Sequence, residues 1–260
     1  MTRVVFVGSL DERQASFRTV AANLKCLVIR LAEKQCAFLV RGVLRPKGTR
    51  LPVDYLVIEA LAQYVKQNSG CRLDLIVVLE PGVFFNSIPF EYATHHASSS
   101  VRKLFYKEIL DKVQVAVAVG GATGVARFMM TADWLGKPYL ILPGSGGASD
   151  YLWRDYFVEA SHIKSIDPKL VERLHQTPLI SSERPSYAEI TSEEILALAA
   201  TPMPPRSEPS APIGYDPEAL TLDRVLTLAK RFSFGFWAFL LGMAGILITL
   251  GFYLCKLLGN

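Results

Sequence analysis

The chain is poor in the residues that mark several common functions. Its four cysteines (Cys26, Cys36, Cys71, Cys255) form no CxxC and follow no regular spacing. Cys255 stands at the end of an apolar tail, away from the other three, so all four are expected to be reduced thiols rather than a disulfide framework. No histidine or cysteine pair has the spacing of a metal site, and the metal expectation is none. Lys and Arg never run in blocks longer than two, and the net charge of +4 is spread along the sequence, which argues against a nucleic-acid groove. The first residues, Thr2-Arg3-Val4-Val5-Phe6-Val7, read as a buried strand rather than a charged segment leading an apolar one. A secretory signal is therefore not expected, and residues 1–200 are expected to be cytoplasmic.

What the chain has in excess is apolar sequence. Mean hydropathy is +0.26, and the C-terminal residues account for much of it. From Phe232 to Cys255 there are 24 residues without a charge, between Lys230-Arg231 and Lys256. As a helix this run is about 36 Å long, enough to cross a hydrocarbon core of roughly 30 Å with some tilt. Residues 232–256 are accordingly read as a single-pass transmembrane helix in the inner membrane. Arg224, Lys230 and Arg231 precede it and only Lys256 follows, which favours an N-terminal domain on the cytoplasmic side. Gly235, Ala238, Gly242, Gly245 and Thr249 recur at intervals of three and four, a small-residue stripe through which membrane helices pack. The stripe predicts a homo-oligomer.

Upstream, short apolar runs alternate with helical periodicity. Strands are expected at Arg3–Val7, Ala37–Arg41, Leu73–Leu79, Val113–Val119 and Pro138–Leu142. Helices are expected at Gln14–Lys34, Val53–Gln67, Ser98–Asp111, Gly124–Leu135 and Ser192–Ala199. The run from Val113 to Val119 is too apolar for a half-exposed strand and suits a parallel strand covered on both faces. The alternation predicts an α/β doubly wound parallel sheet, Rossmann-like, over residues 1–200. Residues 201–217 hold six of the fifteen prolines and read as an extended linker of up to about 50 Å. Asp216 and Pro217 then start a juxtamembrane helix over 218–231.

Glycine-rich turns fall where the strands end. Gly120-Gly121-Ala122-Thr123-Gly124 follows the central strand and opens a helix. Pro143-Gly144-Ser145-Gly146-Gly147 follows the next strand, and Gly8-Ser9 follows the first. Turns of this kind, followed by a helix N-terminus, bring backbone N–H groups to a phosphate, and ligands in open parallel sheets bind beyond the carboxyl ends of the strands. A shelf for a phosphorylated ligand is expected there, built from Gly8, Ser9, Gly120, Gly121, Thr123, Gly124, Gly144, Ser145 and Gly146.

Val7-Gly8-Ser9 after strand one, Arg102-Lys103 on the helix before the central strand, GGxxG at Gly120–Gly124 and Gly136-Lys137-Pro138 entering the next strand together resemble the SLOG superfamily. That group contains LOG-type nucleotide phosphoribohydrolases and sensor domains of bacterial antiviral systems. The resemblance covers about residues 1–160 and adds Arg102 and Lys103 to the expected ligand site. It implies a signal nucleotide, cyclic or NAD-derived, as partner, and a membrane effector in antiphage defence. Hydrolytic members follow their glycines with an acidic pair; here those positions are Ala126 and Arg127. No acid lies between Gly120 and Asp133, and Arg127 offers instead a positive fork for phosphate. No catalytic residue and no cofactor are therefore assigned, and the expectation is a binding protein. The alternative is a membrane-tethered nucleotide N-glycosidase using Asp133 or Glu91. His95-His96 reads as a solvated loop, Glu80 with Gly82 equally as a ribose-hydroxyl contact or a strand-end turn, Ser98–Ser100 as a helix cap, and Trp134 and Trp153 as core.

The charge-free span makes one direct prediction. The full-length protein should fractionate with the inner membrane and require detergent, whereas a chain lacking 232–260 should remain in the supernatant of an ultracentrifuge spin.

Overall fold

Val4, Val5, Phe6 and Val7 are all within one percent of complete burial, as are all five residues from Val115 to Val119. Strands so apolar on both faces need helices on both sides. The computed structural model describes residues 1–41, 49–69, 71–79, 88–97, 102–153, 172 and 176–201, which lie in one compact unit, Met1–Arg206. The proposed linker, juxtamembrane helix and membrane span lie outside the described residues, as do Glu80, Gly82 and Ser98–Ser100. Among the described residues no helix is long and apolar enough to cross a membrane.

The strands are β1 (Arg3–Asp11), β2 (Ala37–Val40), β3 (Arg50–Pro52), β4 (Leu73–Leu79), β5 (Tyr92–Ala97), β6 (Val115–Gly120) and β7 (Tyr139–Ile141). The helices are α1 (Phe17–Glu33), α2 (Val53–Gln67), α3 (Arg102–Lys112), α4 (Thr123–Trp134), α5 (Gly147–Leu152) and α6 (Tyr187–Ala200). The sheet order is β5-β4-β2-β1-β6-β7, with β3 paired to β1 off this path. Every pairing is parallel except β1–β3. This is a Rossmann-like α/β sheet.

Two strands were not expected. β5 carries His95 and His96, which pair with Val77 and Val78 of β4 rather than lying in a loop. Its sequence, Tyr-Ala-Thr-His-His-Ala, is polar enough to conceal a strand, and only an edge position accepts it. β3 is three residues long and has no periodicity of its own; it forms because β1 runs on to Asp11 and leaves backbone groups to be paired.

From β1 the chain steps outward through β2, β4 and β5, then crosses to β6 and steps outward the other way to β7. Right-handed crossovers put α1 and α2 on one face and α3 and α4 on the other. α1 buries Val20, Ala21, Leu24, Leu27, Val28, Leu31 and Ala32, a three-and-four stripe. α6 docks on α1. Asn23 of α1 donates to Ile180 O at 2.6 Å and Ser182 O at 2.8 Å, holding the approach to α6. Glu189 of α6 accepts from Lys34 Nζ at 3.1 Å and pairs with Arg30, which also bonds Glu33.

Lys34 first, then Arg30, hold the Glu189 carboxyl below the usual range. A carboxyl with a depressed folded pKa stabilises the fold above its unfolded pKa, and that contribution is lost as pH falls through the folded value. The pair is exposed and screened, so the effect is small. Glu189→Gln should melt below wild type at pH 7, and the two Tm values should converge on acidification below pH 4; a gap that persists unchanged in acid would put the stabilising contact elsewhere.

Candidate functional site

The two directions of stepping meet between β1 and β6, so a crevice opens at their carboxyl ends. Gly8 and Ser9 of β1 stand opposite Val119 and Gly120 of β6. The strands come so close that a Cβ on Gly8 would lie 1.8 Å from Val119 O. Gly120 and Gly121 turn the chain from β6 into α4 with φ of +59° and +82°, values that disfavour any residue with a side chain.

The backbone polar groups of this turn are all engaged. Gly120 N–H donates to Ser145 Oγ at 2.8 Å, and Gly120 O accepts from Ser149 Oγ at 2.9 Å. Gly121 N–H donates to Ser9 O at 2.8 Å, and Gly121 O accepts from Ala148 N–H at 3.0 Å. The amides of Gly120 and Gly121, expected to reach a phosphate directly, are instead committed to shaping the turn. The hydroxyl of Ser145 is also used up, since it donates to Leu142 O at 2.7 Å and is 2% exposed.

The open donors begin one residue later. α4 starts at Thr123 with Ala122 as its N-cap, in extended backbone, and no side chain caps the helix. Alanine is among the weakest N-cap residues because it offers the first-turn N–H groups no acceptor. The N–H groups of Thr123 and Gly124 have no helical partner by geometry, and none comes from elsewhere among the described residues. Ala122, Thr123, Gly124 and Arg127 are exposed. Arg127 lies one turn beyond Thr123 on the same side of the helix, and no ion pair engages it among the described residues. The arrangement is an uncapped helix end with two amides, a hydroxyl and a guanidinium, which suits an anion.

Flanking groups narrow the crevice. α3 runs antiparallel to the strands, so its first residues, Arg102 and Lys103, stand at the same carboxyl edge. One turn on, Tyr106 packs edge-on against Phe128 at 5.3 Å between centroids. Its hydroxyl lies 3.7 Å from where a Gly124 Cβ would be. Across the crevice, the Gln14 amide abuts Gly146, where a Cβ would meet Oε1 at 2.5 Å. Neither residue was legible in sequence, since each depends on a contact made across the fold.

The acids are distributed informatively. Asp133 is in the last turn of α4, about 15 Å along the helix from Thr123, and Glu91 directly precedes β5, at the amino edge of a parallel sheet. Both lie away from the carboxyl-edge crevice. Sequence reasoning passed over carboxylates that are at that edge, among them Asp11, Asp150 and the exposed Glu12. Asp11, at the end of β1, is hydrogen-bonded to Arg13, whose guanidinium and N–H hold its pKa at about 2. Asp150 accepts from Gly144 N–H at 2.7 Å and Gly146 N–H at 3.1 Å. Burial pushes the Cys36 thiol up to about 11, so it is no nucleophile. Among the described residues no group of three or more His, Cys, Asp or Glu could hold a metal. Trp153 is half-buried against the core.

No protein-family profile matches the chain, and no curated protein matches it in sequence. Among solved structures, the X-ray structure of TM1055, a structural genomics target, is similar over 66% of this chain and 89% of its own, at 21% identity and a TM-score of 0.45.

Gly121 and Gly124, two of the three glycines of the GGxxG turn, should respond oppositely to alanine. At Gly121 a Cβ would sit 2.2 Å from Val125 Cγ2 at positive φ, so Gly121→Ala should destabilise by about 2–4 kcal/mol. At Gly124 the nearest atom is 3.7 Å away, and Gly124→Ala should stabilise by up to about 1 kcal/mol. Chemical denaturation of both variants measures the contrast, and equal effects would show that the turn is not built as described.

Proposed function

We propose that this chain is a membrane-anchored nucleotide sensor whose crevice between β1 and β6 binds the phosphate of a signal nucleotide. The observation that carries the reading is the uncapped start of α4 at the strand-order reversal, with Thr123, Gly124 and Arg127 exposed beside it. The motifs shared with the SLOG superfamily support the same assignment, and Arg102 and Lys103 at the α3 start are its further cationic contacts. Ligand binding would favour a homo-oligomer, gather the 232–256 helices through their Gly235–Thr249 stripe, and breach the inner membrane, as expected of an antiphage effector.

Cleavage of an N-glycosidic bond is the less favoured outcome. It calls for a carboxylate near the anomeric carbon, and the two acids proposed for it, Asp133 and Glu91, lie away from the crevice. Asp11 and Asp150 are each engaged by donors of their own. That supports binding over hydrolysis, and release of free base from AMP or NAD would reverse the preference.

Ala122 supplies the sharpest test. An aspartate there would cap α4 from within and fill the anion position. Ala122→Asp should therefore raise stability by about 0.5–2 kcal/mol while abolishing nucleotide binding. Full-length protein in detergent, titrated calorimetrically with AMP, cyclic nucleotides and ADP-ribose, should show binding in wild type and none in the variant. Undiminished binding would move the site elsewhere. The output is tested separately. Gly242→Leu with Gly245→Leu should leave insertion and ligand binding intact yet remove toxicity in cells given the signal, because bulky side chains hold helices apart. Full toxicity would exclude the stripe as the assembling face.

A further inference from the structure

The loop between β7 and α5 reads in sequence as a second phosphate cradle, but its donors are already taken. Gly144 and Gly146 both adopt φ of +80°, a conformation able to turn nearby amides toward one point, as in anion-binding nests. The anion at that point belongs to the chain. Asp150 Oδ1 accepts from Gly144 N–H and Oδ2 from Gly146 N–H. A plain cap of α5 would need only the Gly146 bond; the Gly144 bond lies outside the helix.

This self-liganded loop holds the neighbouring turn. Its Ser145 hydroxyl accepts from Gly120 N–H, its Ala148 N–H donates to Gly121 O, and its Ser149 hydroxyl donates to Gly120 O. Three of the four polar backbone groups of Gly120 and Gly121 are thus set by residues on either side of Gly146. Gly147 itself is so close that a Cβ would lie 2.3 Å from Gly121 O. A shift of the loop is passed to the turn, and the turn sets where α4 begins.

We infer that Asp150 is the positioning residue of the candidate anion site, acting as the built-in anion of the β7–α5 loop without touching the ligand. This deepens the nucleotide-binding reading and rests on it for its purpose, but its structural content is measurable without any ligand.

The test is hydrogen exchange on the full-length protein in detergent, comparing wild type, Asp150→Ala and Asp150→Asn. Loss of the carboxylate should make amides of the 119–128 segment exchange about tenfold faster or more, with α1 unchanged. Asp150→Asn, which keeps one acceptor oxygen, should fall between. Formate, a free carboxylate small enough for the vacated nest, should restore protection in Asp150→Ala and do nothing to wild type, and AMP affinity should fall and recover in parallel. Unchanged exchange in 119–128, or a loss that formate does not restore, would overturn the inference. Should Asp150→Ala fail to fold, the exchange criterion alone applies to Asp150→Asn, whose side chain still occupies the nest, and unchanged exchange in 119–128 would overturn the inference. If wild type binds no nucleotide, the functional reading fails, while the exchange data still decide the role of Asp150.

Discussion

The close approach of β1 and β6 is the constraint on which the rest depends. With no side chain at Gly8, the carboxyl end of β1 meets Val119 O directly, and the chain leaving β6 must then turn in a space that has no room for a Cβ. Two consecutive residues at positive φ solve this, and only glycine takes that conformation cheaply. Backbone groups turned inward there must all be paired, and Ser9, Ser145, Ala148 and Ser149 pair them. The glycines are therefore structural at first order. Their contribution to a ligand is indirect: they deliver the first turn of α4, with its N–H groups unspent, to the floor of the crevice.

That separation explains how much of the site was readable in advance. Strand runs with no polar face, such as Val115–Val119, declare a parallel sheet, and helix periodicity between them declares the alternation. α2 begins and ends at the residues expected, Val53 and Gln67. The turn after β6 is legible because consecutive glycines directly after an apolar strand mark a backbone that takes positive φ. The donors are not legible, because which amides remain open depends on which are consumed by residues far along the chain, Gly120 N–H by Ser145 and Gly121 N–H by Ser9. Asp150 escaped notice for the same reason. A carboxylate in a glycine loop looks ill suited to a phosphate shelf until its two amide partners are seen. β3 and β5 were missed because short and polar strands draw their stability from pairing rather than from their own composition.

Two acids of the carboxyl edge are matched by donors from their own segment, Asp11 by Arg13 and Asp150 by Gly144 and Gly146, while Glu12, beside Asp11, is exposed. Arg127 has no such match among the described residues. Around α4 the exposed cation thus stands beside acids already engaged by their own donors, which favours a negatively charged ligand there, although the whole chain carries only +4.

On the proposed reading, the energy available from one such site limits how the signal is used. A charge-assisted contact contributes about 1.5–3 kcal/mol, and a ligand shifts an equilibrium only by the part of its binding energy that differs between the two states. Moving a population from 1:99 to 99:1 takes about 5.5 kcal/mol. If one such contact differs between the resting and assembled states, a single site falls short by roughly a factor of two to four. Pooling the difference over several copies would meet the requirement, which is what the proposed homo-oligomer would supply. On that reading, the modest anion site and the proposed stripe call for the same kind of output, an assembly of several copies.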